Sequence, residues 1–253
     1  MRRFTGGYFT RKTAVKMQPV EPECKNPGRV REMFNRIAPR YDFLNHLLSF
    51  GADLRWRRGA ACAVTEVAPR RVLDVATGTG DMALMLKRLL PQAEVVGLDF
   101  SPEMLRLAEK KAKKNNLDLK LVLGDALDLP FGDGEFDVVS VAFGFRNFAD
   151  YERALSEFHR VLRPGGRVVI LEFSPPPKHL FGRAAQFYYH RVLPALGGAL
   201  SGAPEAYHYL PKTVENFLSP EKMLSLLRAQ GFVPQAKLMT LGLVGLYVGD
   251  KRV

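Results

Sequence analysis

The sequence predicts an α/β fold built on a mostly parallel sheet, with helices on both faces and an antiparallel hairpin at the C terminus. Short apolar strands alternate with amphipathic helices between residues 70 and 173, which is typical of a parallel sheet covered on both sides. The alternation then stops, and two further strands joined through Gly242 end the chain. A chain of 253 residues suits one such domain with added segments.

The apolar pattern places the elements in a definite order. Strands are predicted at 70–75, 94–98, 119–123, 136–142 and 167–173, with helices near 80–90, 102–115 and 151–162. A last helix at 219–229 precedes strands at 232–240 and 243–249. Ser101 and Ser219 are expected to cap the helices that follow them.

Two helical segments precede the first strand, and we expect them to cover the site as a lid. The segment 29–48 should be divided at Pro39, because proline lacks an N–H and clashes with the preceding turn. A second helix is predicted at 54–67, with Asp53 as its cap.

The domain organisation follows from these boundaries. Residues 1–28 are predicted to be a basic, disordered tail, and residues 29–253 a single domain with a helical lid at 29–67 and an insertion at 175–218. The net charge is +11, but five basic residues and no acid lie in the first twenty residues. This distribution favours a solvated tail over a nucleic-acid patch, with a targeting segment or a mis-start as alternatives.

Other classes are disfavoured by composition. The two cysteines are too few for a disulfide framework and lack metal-ligand spacing, so no metal is expected. No apolar run reaches the ~18 residues that a membrane-spanning helix needs. A cytoplasmic location is therefore predicted.

The stretch 72–81 joins the first strand to a helix through a glycine loop. Gly78-x-Gly80-x-x-Ala83 satisfies the dinucleotide fingerprint, so a nicotinamide or flavin enzyme is one hypothesis. Asp74, however, ends the strand four residues before Gly78, where such loops usually have their first glycine.

Three acids at successive strand ends favour another cofactor. Asp74, Asp99 and Asp125 follow the first, second and third strands, so they should share the carboxyl edge of the sheet. Asp99 can accept both ribose hydroxyls and Asp125 an adenine amino group. S-adenosylmethionine has an ammonium and a sulfonium, and an acidic rim suits it better than a pyrophosphate.

Four motifs resemble those of class I S-adenosylmethionine-dependent methyltransferases, which have a Rossmann-like sheet of this kind. They are Val-Leu-Asp-Val-Ala-Thr-Gly-Thr-Gly at 72–80, Gly-Leu-Asp-Phe-Ser at 97–101, Gly-Asp-Ala at 124–126 and Arg-Pro-Gly-Gly at 163–166. The resemblance implies a cofactor site made of Asp74, Gly78, Thr79, Gly80, Asp99, Asp125 and Ala126. Ala76 departs from the pattern, since many members have glycine there, and its methyl is tolerated if its backbone angles are ordinary.

A narrower resemblance, to the ubiquinone/menaquinone biosynthesis C-methyltransferases, extends from about residue 29 to 250. It rests on Phe-Asn-Arg-Ile-Ala-Pro-Arg-Tyr-Asp-Phe-Leu-Asn at 34–45, Phe-Gly-Phe-Arg-Asn at 143–147, Leu-Glu-Phe-Ser at 171–174 and Tyr-x-Tyr-Leu-Pro at 207–211. The family methylates a ring carbon of a prenylated quinol. The expected reaction is demethylmenaquinol to menaquinol, the last step of menaquinone biosynthesis, with S-adenosylhomocysteine as product; polyprenyl-methoxybenzoquinol methylation in ubiquinone biosynthesis is the alternative.

The resemblance also implies roles for residues beside the cofactor. Arg146 and Asn147 follow the fourth strand, where class I methyltransferases face the methyl acceptor, and are the expected catalytic residues. Arg146 can stabilise a phenolate or position a water, but is too basic to be the base itself. Asp42 is the candidate base, although a cap is the alternative, and Arg146 can instead form a structural ion pair. Substrate contacts are expected at Tyr41, Asn45 and Phe143.

The apolar segment 180–200 is expected to wall a groove for the prenyl tail and to touch lipid. Its large residues are Phe181, Phe187, Tyr188, Tyr189, Leu193 and Leu196. A plain core helix is the alternative. The predicted partners are a prenylated quinol and the inner face of the cytoplasmic membrane, with no nucleic acid and with a homodimer left open. His190 and His208 are weaker base candidates, and His159 is expected to be structural.

Two further hypotheses come from other classes. An RNA methyltransferase would suit the basic balance, but Ala-Phe-Gly-Phe at 142–145 replaces the Asn/Asp-Pro-Pro-aromatic loop that amino methylation of bases favours. Neither cysteine follows strand four or five, where a cytosine-C5 nucleophile is needed. A non-catalytic cofactor-binding subunit is disfavoured by the three intact acids.

Overall fold

The computed structural model describes residues 27–38, 41–177, 180–195 and 204–252. Residues 1–26 of the predicted tail, Leu196 and the side chains of Tyr41 and of residues 204–208, which include His208, lie outside this description. Residues 27 and 28, the last two of the predicted tail, belong to the first helix. No helix in the described ranges is long and apolar enough to cross a membrane.

A seven-stranded sheet forms the centre of the protein. Its strands are β1 Arg71–Val75, β2 Glu94–Asp99, β3 Lys120–Leu123, β4 Phe136–Ala142, β5 Leu162–Phe173, β6 Phe232–Met239 and β7 Val244–Lys251. They lie in the order β3-β2-β1-β4-β5-β7-β6. The first five are parallel, β7 is antiparallel to β5, and β6 is antiparallel to β7. The predicted fold is confirmed, including the C-terminal hairpin.

Nine α-helices surround the sheet in the described ranges. They are α1 Pro27–Ile37, α2 Tyr41–Leu48, α3 Ala52–Thr65, α4 Asp81–Leu89, α5 Pro102–Lys114, α6 Tyr151–Val161, α7 Leu180–Phe187, α8 Pro204–Glu215 and α9 Pro220–Ala229. Short 3₁₀ helices span Phe145–Asn147 and Thr240–Gly242, and a π-helical turn spans Tyr188–Val192. The helix predicted at 29–48 is divided as expected, since α1 ends at Ile37 and α2 begins at Tyr41.

The predicted caps are correct in two cases of three. Ser101 and Ser219 accept hydrogen bonds from backbone N–H groups of α5 and α9. The prediction for Asp53 is wrong: Gly51 occupies the cap position of α3, and Asp53 lies inside the first turn. Its carboxylate is buried and accepts hydrogen bonds from Ser49 and Arg57, and also pairs with His46. A polar network therefore uses the side chain that would otherwise cap the helix.

Three apolar clusters hold the layers together. One joins the sheet to α6 and α9, and a second joins the opposite face to α3 and α4. The third lies away from the sheet, where Ile37 and Leu44 of the N-terminal helices meet Tyr189, Leu193 and Val214. The lid therefore packs on the segment after β5, and together they cover the carboxyl edge of the sheet.

Candidate active site

The loop between β1 and α4 bends sharply through two glycines in left-handed backbone. Gly78 has a φ of 57° and Gly80 a φ of 86°. A Cβ on Gly78 would meet nothing within 4 Å, whereas one on Gly80 would lie 3.0 Å from Ala108 Cβ in α5. Gly78 therefore leaves open space above the loop, and Gly80 lets the loop pack against α5.

Asp74 is buried at the end of β1, with 1% of its surface exposed. Its carboxylate accepts hydrogen bonds from Thr77 Oγ1 at 2.7 Å and from Ser140 Oγ at 2.6 Å. Burial raises its pKa to about 6, and these hydroxyls oppose the rise.

Asp99 is similarly buried at the end of β2, with 4% exposed. One carboxylate oxygen accepts from Gly78 N at 2.8 Å and the other from Ser101 N at 2.9 Å. Each oxygen retains acceptor capacity for a ligand hydroxyl. Burial raises the pKa of Asp99 to about 6 as well.

Asp125 turns the chain after β3. Its Oδ1 accepts from Leu127 N at 2.9 Å, and the following Ala126 is buried. The three strand-end acids therefore occupy one edge of the sheet in the predicted order.

These acids line an open cavity, here called the acidic cavity, whose space together with the solvent at its mouth is about 1040 Å³. Six of the seven residues predicted to bind the cofactor line it, namely Asp74, Gly78, Thr79, Asp99, Asp125 and Ala126. Gly80 does not, because it faces α5. Phe100, Met104 and Leu127 add apolar walls, and Val30 and Phe34 of α1 close one side.

A second open cavity, here called the aromatic cavity, adjoins the first, and its space together with the solvent at its mouth is about 1630 Å³. Its aromatic lining consists of Phe34, Phe50, Trp56, Phe143, Phe173, Phe181, Tyr188, Tyr189 and Tyr209. Phe34, Arg57 and Phe143 line both cavities, so the two share a wall. Within the predicted tail-binding segment, Phe181, Tyr188, Tyr189 and Leu193 line the aromatic cavity, whereas Phe187 points into solvent.

Two residues at or beside the shared wall have left-handed backbone, namely Phe143 in the wall and Ala76, which lines only the acidic cavity. Ala76 has a φ of 52° and Phe143 a φ of 62°. Ala76 therefore does not have the ordinary backbone angles that the sequence-based prediction requires for an alanine at this position. Its backbone is strained, because the left-handed conformation is unfavourable for a residue with a Cβ. A Cβ on Gly144 would lie 2.6 Å from the Ala76 Cβ, so these two positions together allow only one methyl group.

Arg146 lies in the wall of the aromatic cavity and is 6% exposed. Its Nη1 donates to the carboxylate of fully buried Glu172 at 2.7 Å and to the Phe143 carbonyl at 2.7 Å. Glu172 also accepts from Arg146 N at 3.0 Å. The predicted ion-pair alternative is thus present, and it holds the guanidinium at the cavity.

Asn147 follows Arg146 in the 3₁₀ helix and lines the acidic cavity. Its Oδ1 accepts a hydrogen bond from Tyr209 OH at 3.1 Å. Tyr209 itself lines the aromatic cavity. Two consecutive residues therefore present polar groups to the two cavities.

Asp42 does not line either cavity. Its carboxylate accepts a short hydrogen bond from Thr79 Oγ1 and lies 2.5 Å from Lys111 Nζ, which also reaches Asp81 at 2.6 Å. Asp42 thus fastens α2 to the glycine loop, away from the expected acceptor position. Asn45 of the same helix, for which a substrate contact is predicted, lines the aromatic cavity, while the Tyr41 side chain is outside the description.

The histidines lie outside both linings within the described chain. His159 packs on Phe232, with ring centroids 5.3 Å apart, in keeping with its expected structural role. His190 forms an exposed pair with Glu215 at 2.6 Å.

Four residues at the candidate site were not predicted from the sequence. Thr77 and Ser140 hold Asp74, Glu172 holds Arg146, and Arg57 lies between the cavities. Glu172 lies in the quoted Leu-Glu-Phe-Ser motif, where a charge inside an apolar strand was a usable signal. For Arg57, the sequence contained one signal, the i,i+4 spacing from Asp53 that allows an ion pair on a helix.

Comparison with known proteins agrees with this geometry. Residues 23–251 match a model described as the ubiE/COQ5 methyltransferase family. The demethylmenaquinone methyltransferase of Thermus thermophilus is 58% identical over 219 residues, covering 87% of this chain and all of that protein. The enzyme of the same name from Deinococcus radiodurans is 51% identical and covers 95% of this chain and all of that protein.

Other similarities are broader. The ubiquinone/menaquinone biosynthesis C-methyltransferase UbiE of Geobacter sulfurreducens is 47% identical and covers 88% of each chain. Among solved structures, a Thermotoga maritima SAM-dependent methyltransferase described as a possible histamine N-methyltransferase has a TM-score of 0.64 and 22% identity, covering 87% of this chain and 99% of that one. This last similarity supports the fold. Together with the family match, these relatives show that the chain belongs to the ubiE/COQ5 methyltransferase family.

Proposed function

We propose that the protein transfers a methyl group from S-adenosylmethionine to a ring carbon of a prenylated quinol, with demethylmenaquinol as its substrate. The main support is the shared wall: an acidic cavity opens beside a larger aromatic one, and Phe34, Arg57 and Phe143 line both. A reaction between a cationic nucleoside and an apolar ring needs these two environments in contact.

The residues of the acidic cavity fit the cofactor. Asp99 keeps acceptor capacity for ribose hydroxyls, and Asp125 lies at the rim with acceptors for an adenine amino group. Gly78 leaves room above the loop, where any larger side chain would intrude. Asp74 supplies negative charge for an ammonium. When bound, S-adenosylmethionine supplies an electrophilic methyl group on a sulfonium.

The residues of the aromatic cavity fit an activated quinol. A ring carbon becomes more nucleophilic when its phenol loses a proton, and phenols titrate near ~10. The buried guanidinium of Arg146 favours the phenolate and orients water to accept the proton. Burial raises the pKa of Tyr189 to about 12, so its hydroxyl remains a donor at neutral pH. Asn147 and Tyr209 link the two cavities and position the ring.

The position of Asp42 gives no support to its role as general base. Its carboxylate is paired with Lys111 and Thr79, outside both cavity linings. Its role is to hold the lid over the glycine loop. Among the described residues that line the aromatic cavity, Asp53 is the single one with a carboxylate. That carboxylate already accepts hydrogen bonds from Arg57 and Ser49.

The proposal extends to the membrane surface. Large apolar side chains are exposed near the aromatic cavity, with Phe50 84% and Leu180 82% exposed. Phe50 also lines the cavity, which places its opening beside these residues. A prenyl tail can pass from lipid into the cavity at such a patch. Co-sedimentation with anionic vesicles should decrease when Phe50 and Leu180 are changed to aspartate.

Transfer of labelled methyl groups tests the proposed function. The protein is incubated with methyl-labelled S-adenosylmethionine and either demethylmenaquinol, polyprenyl-methoxybenzoquinol of equal tail length, or bulk RNA. Label is expected in demethylmenaquinol, and the Asp99→Ala variant is the background control. Faster labelling of the methoxybenzoquinol would move the assignment to ubiquinone biosynthesis, and label in RNA alone would contradict the quinol proposal.

A further inference from the structure

One buried cation separates the two cavities. Arg57 of α3 is 6% exposed and lines both. Its Nη1 donates to Asp53 Oδ2 at 2.6 Å, and its Cζ lies 5.2 Å from the centre of the Phe143 ring. These contacts hold the guanidinium in one place.

The same guanidinium has one N–H donor without an acceptor among the described residues. Its Nε is buried and forms no hydrogen bond with any residue in the described part of the chain. An arginine stays charged in proteins, and a buried donor without an acceptor is costly. A bound anion at this position would satisfy the donor.

The charges around Arg57 indicate which cavity would receive that anion. Among the described residues lining the acidic cavity, Arg57 is the single lysine or arginine, and four aspartates line the same cavity, namely Asp74, Asp81, Asp99 and Asp125. Burial raises the pKa of Asp74, and the Arg57 charge opposes that rise. The net pKa of Asp81 is lowered despite burial, by Lys111 first and then by Arg57. Arg57 is therefore coupled electrostatically to the acidic cavity, whereas the aromatic cavity has Arg146 of its own.

We propose that Arg57 binds the α-carboxylate at the amino-acid end of S-adenosylmethionine. This inference rests on the proposed function, since it assumes that cofactor. The amino-acid end has an ammonium and a carboxylate, and the acids of the cavity can hold only the first. Arg57 supplies the cation that the carboxylate requires, beside Asp74. Phe143, which lies under the guanidinium, connects this contact to the wall of the aromatic cavity.

A pair of ligands that differ only in the carboxylate tests the inference. S-adenosylhomocysteine and its decarboxylated analogue are titrated by calorimetry into the wild-type protein, Arg57→Met, Arg57→Lys and the exposed neighbour control Arg58→Met. Wild type should bind S-adenosylhomocysteine about 10- to 100-fold more tightly than the analogue, as expected for a charge-assisted hydrogen bond. Arg57→Met should lose that preference, Arg57→Lys should keep part of it, and Arg58→Met should keep all of it.

Each contrary result has a separate meaning. Equal affinity of wild type for the two ligands would overturn the inference even if Arg57→Met failed to fold. An unchanged preference in Arg57→Met, or equal weakening of both ligands, would also overturn it. If wild type bound neither ligand, the proposed function would fail, and this inference with it.

Discussion

The two cavities differ in how the chain builds them. The acidic cavity is made largely of short motifs at consecutive strand ends, around Asp74, Asp99 and Asp125. The aromatic cavity takes its lining from α1, α2, α3, the turn after β4, the end of β5, the segment after it and the turn before β7. A cofactor common to many enzymes can be bound by a local pattern repeated along one sheet edge, whereas an acceptor specific to a family is bound by surfaces that only packing brings together.

The largest expected effect is on the acidic cavity alone. Asp99→Ala should weaken binding of S-adenosylmethionine about 1000-fold, because it removes an acceptor for two ribose hydroxyls and frees the Gly78 N–H. Calorimetry measures the affinity, and circular dichroism checks that the fold is intact. Affinity within threefold of wild type would contradict the assignment of the cavity.

The second effect should separate the cavities. Arg146→Lys should lower kcat about 100-fold through poorer phenolate stabilisation, while affinity for S-adenosylmethionine changes less than about threefold. Lysine retains a charge opposite Glu172; truncation to alanine would leave that buried carboxylate unpaired and cost about 3–5 kcal/mol of stability. Steady-state kinetics and calorimetry on the same preparation measure both. A kcat near wild type would make Arg146 purely structural.

Filling the aromatic cavity should affect only the acceptor. Ala184 lines this cavity, and Ala184→Trp should raise KM for a long-tailed quinol about tenfold by occupying space for the tail. The matched control is Gln186→Trp, on an exposed position of the same helix that lines neither cavity. Equal effects of the two variants would argue against a tail site here.

Lowering the pH should weaken binding of S-adenosylmethionine in the acidic cavity. Because the pKa values of Asp74 and Asp99 are about 6, both become protonated as pH falls below 6, and affinity for the cationic cofactor should drop up to about tenfold per pH unit and group. Both pKa values are higher in the folded protein than the ordinary value of an aspartate. The folded state therefore binds protons more readily than the unfolded state, and the stability of the ligand-free protein should increase as pH falls from 6 towards 4. Calorimetry from pH 7.5 to 5 measures the affinity, and Asp74→Asn should flatten the profile. A flat wild-type profile would contradict this prediction.

The smallest effect concerns Ala76, which lines the acidic cavity beside the shared wall. Ala76→Gly should relieve left-handed strain and stabilise the protein by up to about 1 kcal/mol, partly offset by the freedom of glycine in the unfolded chain. Ala63→Gly, inside α3, should instead destabilise by about 1 kcal/mol. Thermal denaturation compares the two. A lower melting temperature for Ala76→Gly would mean that the methyl packs productively against the wall.

Much of the fold was predictable because its signals are local. The periodicity of β1 to β5 and the turn residues beside them lie within short windows, and Ser101 and Ser219 cap as predicted. The cap prediction failed at Asp53 because its carboxylate pairs with His46, Ser49 and Arg57 instead, and Arg57 lies one turn later in the same helix. A capping pattern considers only the first turn of a helix and cannot predict such contacts.

The acidic cavity was predictable for the same reason, and the aromatic cavity was predictable only in part. Arg146, Asn45 and Phe143 were singled out by their motifs, but neither the Glu172 pair nor the position of Arg57 follows from spacing. The sequence by itself determined the sheet, the glycine loop and the three strand-end acids, since each depends on neighbours within a few residues. Only the tertiary structure decided that Asp42 fastens the lid and that Arg57 lies between the cavities, because those positions depend on how helices distant in the chain pack over the sheet edge.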